Sequence, residues 1–375
     1  MTVTSLMYCQ QAIQSPSVSA DGRVTFRLRS PNATHVQVNV ESAKAPLPMT
    51  KDETGVWTAT TGPLGQDYYS YSFEVDGVRF LDPSNPRLVP NLLSPSNYFQ
   101  VPGPDPQPWN MSDVPHGTVH RHIYRSAIIG NSRELYVYTP PGYDASASTR
   151  YPVLYLLHGF SDDASAWTAV GRANLILDTL ISRGQAKQMI IVMPLGYGVA
   201  EIVRPTGPMV SDTELRERNY TRFGNTLMDE VIPLVDRIYR TLADRDSRAI
   251  AGLSMGGAES LLIGLNQLQT FSYVASFSAG ELSYADFSLD FPQLTGAFAN
   301  NRIHLLWIAC GTDDRLIKNN RQIVSWLKSR GIQLTAIETS GMHTWTVWRR
   351  NLSSLAPLLF RADTPVGRAA SLQPR

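Results

Sequence analysis

The sequence predicts an α/β protein: a mostly parallel central sheet with helices on both faces, preceded by a small all-β sandwich. Three observations carry that reading. From about residue 115 onward, continuous apolar runs alternate with helix-period stretches, the pattern of a sheet covered on both sides. Between about residues 15 and 100, short alternating strands recur with turns roughly every ten residues. A proline-rich stretch, Pro102–Pro108, separates the two patterns and reads as a stiff linker.

In the first region, Val24–Leu28, Val36–Val40, Val56–Ala59 and Tyr69–Val75 each alternate apolar and polar residues, and the last runs into Asp76-Gly77, a hairpin turn signal. Tyr69, Tyr71 and Phe73 share one strand face; such a stripe is expected to be core, so no sugar-binding residues are assigned there. In the second region, Val119–Arg125 and Arg133–Thr139 alternate. Val153–Leu157, Met189–Met193, Ala249–Ala251 and His304–Ala309 are buried-strand runs, and Ile332–Ile337 is a weaker one. Helix-period stretches include Gly224–Tyr239 and Lys318–Ser329. The expected division is 1–101 for the β unit, 102–114 for the linker, 115–362 for the α/β domain and 363–375 for a loose polar tail.

Composition narrows the function. A 375-residue chain with 43% hydrophobic and 17% charged residues can bury a large core, and its length suits two domains. Net charge is +1 with no basic stripe, which argues against a nucleic-acid partner. No apolar run reaches the ~18 residues that a membrane span needs. The segment Met1–Cys9 lacks a basic region followed by a long apolar core and does not read as a secretory signal. Cys9 and Cys310 give no disulfide framework, and Cys310, closing an apolar run, is expected to be a small core residue.

The chemistry is announced by Gly252-Leu253-Ser254-Met255-Gly256, where the apolar run Ala249–Ala251 enters a Gly-x-Ser-x-Gly turn and a helix-like stretch leaves it. This is the context of a nucleophile elbow, in which the serine hydroxyl stands above the sheet and the next backbone N–H faces the substrate. A serine hydroxyl needs a base to take its proton. His343 lies in a loop after the last strand, whereas His304 sits inside an apolar run and is expected to be a packed core histidine. His35, His116, His120 and His122 show no metal-ligand spacing. The orienting carboxylate belongs between nucleophile and base, where Thr312-Asp313-Asp314 follows a strand. Asp314 is favoured, leaving Asp313 to cap the next helix. The oxyanion donors are expected to be the N–H groups of Met255 and of Phe160, the latter in the His158-Gly159-Phe160 loop. His158 is then an anchor of that loop. The order Ser254, Asp314, His343 matches α/β-hydrolases and differs from the chymotrypsin and subtilisin orders.

With these residues in place, the sequence resembles the esterase D-like carbohydrate esterase family 1 group, the feruloyl and acetylxylan esterases, with siderophore esterases as cousins. The matching text is Tyr155–Gly159, Trp167–Asn174, Ile190–Pro194, Gly252–Gly257 and the His343-Thr344-Trp345-x-x-Trp348 pattern, over about residues 115 to 360. The resemblance implies a serine esterase with Ser254, His343 and Asp314 catalytic, no metal and no organic cofactor. It would release feruloyl groups from xylan or xylo-oligosaccharides, with acetylxylan and then siderophore esters as alternatives. Trp167, Leu195, Tyr197 and Trp345 are candidate substrate-pocket walls. A siderophore ester would call for cations, for which Arg204, Arg216, Arg218 and Arg222 are candidates. Phe160 departs from the glycine that many relatives carry. The N-terminal unit resembles the CBM48-like, immunoglobulin-like early-set sandwich of some such esterases. A non-catalytic glycan-binding protein is the reading from a different class, and the complete triad argues against it. Secretion is an expectation from the presumed substrate alone.

Overall fold

Alternation along Asp67–Val75 places Tyr69, Tyr71 and Phe73 on one face, and in the computed structural model all three are buried in the core of an all-β unit. Residues 13–41, 43–145, 148–203, 212–284 and 286–361 are described; the expected tail and Cys9 lie outside them. The all-β unit comprises the chain up to Val89 together with Pro95–Asp105. One of its sheets orders Ser17–Val18, Val24–Arg29, Val56–Thr60 and Thr50–Lys51. The other orders Leu47–Pro48, Val36–Val40, Asp67–Val75, Ser96–Val101 and Leu88–Val89, with Val78–Phe80 paired to Asp67–Val75. Asp76 and Gly77 both take positive φ, 48° and 82°, which makes the tight hairpin between the last two. Phe26 packs against Tyr71 at 4.8 Å between ring centroids and against Phe99 at 5.6 Å. Burying each such ring stabilises the unit by roughly 2–3 kcal/mol.

The second unit comprises Pro90–Ser94 and the chain from Pro106. Its eight strands are β1 (Thr118–Arg125), β2 (Ser132–Thr139), β3 (Val153–Leu157), β4 (Ile190–Pro194), β5 (Arg248–Leu253), β6 (Tyr273–Phe277), β7 (Leu305–Gly311) and β8 (Thr335–Thr339). They lie in the order β1-β2-β4-β3-β5-β6-β7-β8, antiparallel at β1/β2 and β2/β4 and parallel elsewhere. Strands β3, β4 and β7 are buried throughout, which is why they read as apolar runs; β6 is equally buried but carries Ser276 inside it. The longer helices are α1 (Ala173–Ser182), α2 (Thr213–Thr226), α3 (Met255–Asn266), α4 (Ile317–Ser329) and α5 (Trp345–Leu355). No helix among the described residues is long and apolar enough to cross a membrane.

Four local expectations change. The helical stretch 224–239 is not one helix: α2 ends at Thr226, a π-helical segment spans Leu227–Val231, and a further helix spans Ile232–Ile238. Pro233 has no N–H to continue the ladder, and the wider turn accommodates it. The last strand starts three residues and ends two residues later than its apolar pattern indicates. His304 is an exposed residue just before β7, not a core histidine; its Nε2 lies 3.0 Å from Asp246 Oδ1. The proline-rich stretch is also divided, with Pro106 and the residues after it belonging to the second unit. Within that unit Gly117 N–H donates to Asp178 Oδ1 at 2.9 Å.

Candidate active site

Ser254 sits between β5 and α3 with φ 52° and ψ −115°, a conformation that non-glycine residues avoid and that nucleophile elbows impose. The two flanking glycines explain how the turn closes. A Cβ on Gly252 would lie 2.3 Å from the Gly256 carbonyl oxygen, and one on Gly256 would lie 2.5 Å from that of His158. The turn is clasped from β6: Ser254 N–H donates to the Phe277 carbonyl at 2.9 Å, and Gly280 N–H donates to the Ser254 carbonyl at 2.7 Å.

The other two predicted residues arrive on loops at the same carboxyl edge of the sheet, after β7 and β8. His343 Nε2 is 3.0 Å from Ser254 Oγ, and His343 Nδ1 is 2.8 Å from Asp314 Oδ2 and 3.0 Å from Oδ1. Asp314 is 2% exposed. Burial works to raise its carboxyl, but the hydrogen bond and charge of His343, the Leu316 N–H and the Ser278 hydroxyl outweigh burial and hold it below its ordinary value. Asp314 also receives the Leu316 N–H at 2.8 Å, next to the start of α4. The capping role expected of Asp313 is therefore not found: that residue is exposed and too early in the loop. Its own N–H donates to Gly341 at 2.9 Å, tying the acid loop to the base loop.

The loop after β3 passes against the elbow, since a Cβ on Gly159 would lie 3.4 Å from Ser254 Cβ. His158 anchors it. Gly196 N–H donates to His158 Nε2 at 2.8 Å, so the ring proton resides on Nδ1, which donates to the Gly159 carbonyl at 2.8 Å. Burial pushes this imidazole down to about 4, leaving it neutral. Asp162, 7% exposed in the same loop, is pushed up to about 7 by burial against the opposing effect of the Asn91 hydrogen bond. Asn91 Nδ2 donates to Asp162 Oδ1 and to Ser161 Oγ, both at 3.0 Å, and Leu92 N–H donates to the Ser161 carbonyl at 2.7 Å. Asn91 belongs to the Pro90–Ser94 stretch of this same unit. Glu259, fully buried on α3, is raised well above its ordinary value by burial.

The expected pocket walls fare differently. Trp167 and Tyr197 are 1% and 4% exposed and support the loops from inside. Trp167 Nε1–H donates to the Leu157 carbonyl at 2.9 Å and Tyr197 O–H to the Asp162 carbonyl at 2.7 Å, both bonds buried. Trp345 is 7% exposed and packs on Trp167, while Leu195 is partly buried. Of the arginines, Arg204 lies outside the described residues. Arg216 donates to the Leu282 carbonyl and pairs with Glu281, and Arg222 donates to the Ile128 carbonyl. Both guanidiniums are thus committed to the fold, whereas Arg218 is exposed. Cys310 is buried, as expected of a core residue. Among the described residues no cluster of His, Cys, Asp and Glu forms a metal site. Sequence reasoning missed Ser278 and the role of Trp348, both of which touch the acid–base pair; the Trp345-x-x-Trp348 spacing was the available signal.

A serine hydroxyl, an imidazole and a buried carboxylate in series are the equipment of acyl transfer. Residues 126–358 match the family described as "Putative esterase", and the chain belongs to that family. It is 30% identical over 359 residues to an endo-1,4-beta-xylanase/feruloyl esterase of Xylanibacter ruminicola, covering 94% of this chain and 47% of that protein. The chain thus spans about half the length of that relative. A ferulic acid esterase of Anaeromyces mucronatus superposes with a TM-score of 0.58 at 24% identity, covering 68% of this chain and 95% of the other. An enterobactin esterase of Shigella flexneri superposes with a TM-score of 0.67 at 19% identity, covering 90% and 92%. At such identities the likeness concerns the fold.

Proposed function

We propose that this chain is a serine esterase that removes ester-linked acyl groups, feruloyl foremost, from xylan or its oligosaccharides. The observation that carries the proposal is the series Asp314–His343–Ser254, with both links at hydrogen-bond distance on one edge of the sheet. In the proposed cycle Ser254 Oγ attacks the ester carbonyl as His343 takes its proton. The oxyanion is received by the N–H groups of Met255, at the α3 N-terminus, and Phe160. His343 then protonates the departing sugar oxygen, and water repeats the sequence on the acyl-enzyme. The cycle calls for no metal or organic cofactor.

Feruloyl is preferred because the relative matched across 94% of this chain is named a xylanase/feruloyl esterase. The structural resemblance to an enterobactin esterase favours a siderophore ester as the second reading, weakened by the commitment of Arg216 and Arg222 to carbonyl partners. Acetylxylan is the remaining acyl alternative. The finer assignments, carbohydrate esterase family 1 for residues 115–362 and a CBM48-like, immunoglobulin-like sandwich for 1–101, rest on sequence resemblance. A secreted location rests on the presumed substrate alone.

The test compares methyl ferulate, acetylated xylan and enterobactin as substrates, with Ser254→Ala as control. The proposal expects the highest kcat/KM on methyl ferulate and a loss of at least ~10³-fold in the variant. Preference for acetylated xylan or enterobactin would reassign the acyl group, and full activity in Ser254→Ala would remove the mechanism.

A further inference from the structure

The indole of Trp348 touches both halves of the acid–base pair, and it reaches one of them through Ser278. Trp348 is 6% exposed, and its ring stands edge-on to the His343 imidazole, with centroids 4.9 Å apart and planes at 89°. Its Nε1–H donates to Ser278 Oγ at 3.1 Å. Ser278 follows β6 directly, is fully buried, and holds φ at 51°, a conformation that serine seldom occupies. Its N–H donates to the Ala309 carbonyl at 2.7 Å, which fixes the turn against β7. Because Ser278 Oγ accepts the indole proton, its own proton is free to be donated. The Asp314 carboxylate and the Cys310 thiol are beside it. Burial pushes that thiol up to about 12, so it is a neutral, weak acceptor, and the charged carboxylate is the stronger acceptor for the Ser278 proton.

The imidazole needs such restraint. Rotation about the bond that joins a ring to its Cβ is soft, with broad minima, so hydrogen bonds alone do not fix the plane of His343. Trp348 closes one side of that rotation. It is itself braced by Trp345 at 5.3 Å and 84°, which in turn packs on Trp167 at 5.2 Å and 87°. A file of three indoles therefore runs from beneath β3 to the base.

We propose that Trp348 and Ser278 act together as positioning residues, one bracket that sets the plane of His343 and the orientation of Asp314. The inference rests on the acyl-transfer reading above. Trp348→Phe keeps an aromatic ring beside His343 and deletes the N–H together with part of the indole; Ser278→Ala deletes the hydroxyl. Each variant is expected to lower kcat on methyl ferulate by roughly 5- to 20-fold with KM within about two-fold, the signature of an interaction that matters in the transition state. In Ser278→Ala the acidic limb of the kcat/KM profile moves to higher pH, because a carboxylate deprived of one donor holds the imidazolium more tightly. The Nδ1 proton resonance of His343 shifts with it. The double variant loses no more than about the larger single loss, since both act through one chain of contacts.

Folded variants with wild-type kcat, an unmoved pH limb and an unmoved resonance would overturn the bracket while Ser254→Ala stays inactive. Turnover surviving in Ser254→Ala would instead overturn the reading on which it rests. Should Trp348→Phe not fold, Ser278→Ala, which removes a single buried atom, decides alone.

Discussion

On one side of the Ser254 hydroxyl lie Asp314 and His343; on the other lies the loop from His158 to Asp162. The first side gathers donors around a carboxylate and keeps it ionised despite burial. The second side disfavours charge on its titratable groups: His158 is lowered to about 4, Asp162 raised to about 7, and Glu259 raised well above its usual range, all chiefly by burial. The contrast follows from the charge that ester attack creates. In the proposed cycle imidazolium forms beside Asp314, which supplies a negative partner, while the carbonyl oxygen turns negative toward the Phe160 loop, where a second negative charge would oppose it. Two unit charges roughly 4 Å apart interact by about 4 kcal/mol at an effective dielectric near 20, enough to change a rate a thousand-fold.

The comparison breaks most visibly on the charged side. Asp314→Asn keeps the shape of the site but offers an amide where the imidazole needs an acceptor, so the ring adopts the wrong tautomer. A loss of about 10³- to 10⁴-fold in kcat is expected with KM little changed, measured on methyl ferulate. A loss below about ten-fold would mean that this carboxylate does not orient the base.

The neutral side is sharpened by a smaller, pH-dependent effect. Asp162 keeps its proton in the folded chain up to about pH 7, whereas its ordinary value is 3.8. Across that window the folded state binds a proton that the unfolded state has released, so this group's contribution to stability falls as pH rises and levels off above about pH 7. Asp162→Asn mimics the protonated acid and retains an acceptor for Asn91. Its melting temperature should draw ahead of the wild type as pH rises from 4 to 7, reaching a gain of roughly 2–4 °C at pH 8. A gap that narrows with rising pH would show that Asp162 is ionised in the fold.

Much of this site was legible in the sequence because the chemistry is local. Gly252 is demanded by the Gly256 carbonyl four residues on and Gly256 by the His158 carbonyl of the neighbouring loop, and Val153–Leu157 and Ala249–Ala251 are apolar runs without interruption. Strand β6 was not legible. Ser272, Ser276 and Ser278 break up its apolar run, yet all three are fully buried, and the Ser272 hydroxyl donates to the Arg245 carbonyl. That strand supplies the Phe277 and Gly280 clasps and the Ser278 hydroxyl, so the support behind the triad stayed hidden with it. For a related reason the sequence leaves Trp167 and Tyr197 open between pocket wall and packing residue. An aromatic residue near a catalytic loop reads the same whether it lines the cleft or holds the loop from beneath, and only the partner of its polar atom distinguishes the two. His304 fell on the opposite side of that ambiguity, flanked by apolar Ile303 and Leu305 but placed at the open end of β7 beside Asp246.

The central claim is that Ser254 carries the acyl group, and labelling with a fluorophosphonate followed by peptide mapping tests it most directly. The account predicts one adduct, on Ser254, formed in parallel with loss of esterase activity, and slowed by orders of magnitude in His343→Ala. An adduct on another residue, or full inhibition with Ser254 unmodified, would contradict it.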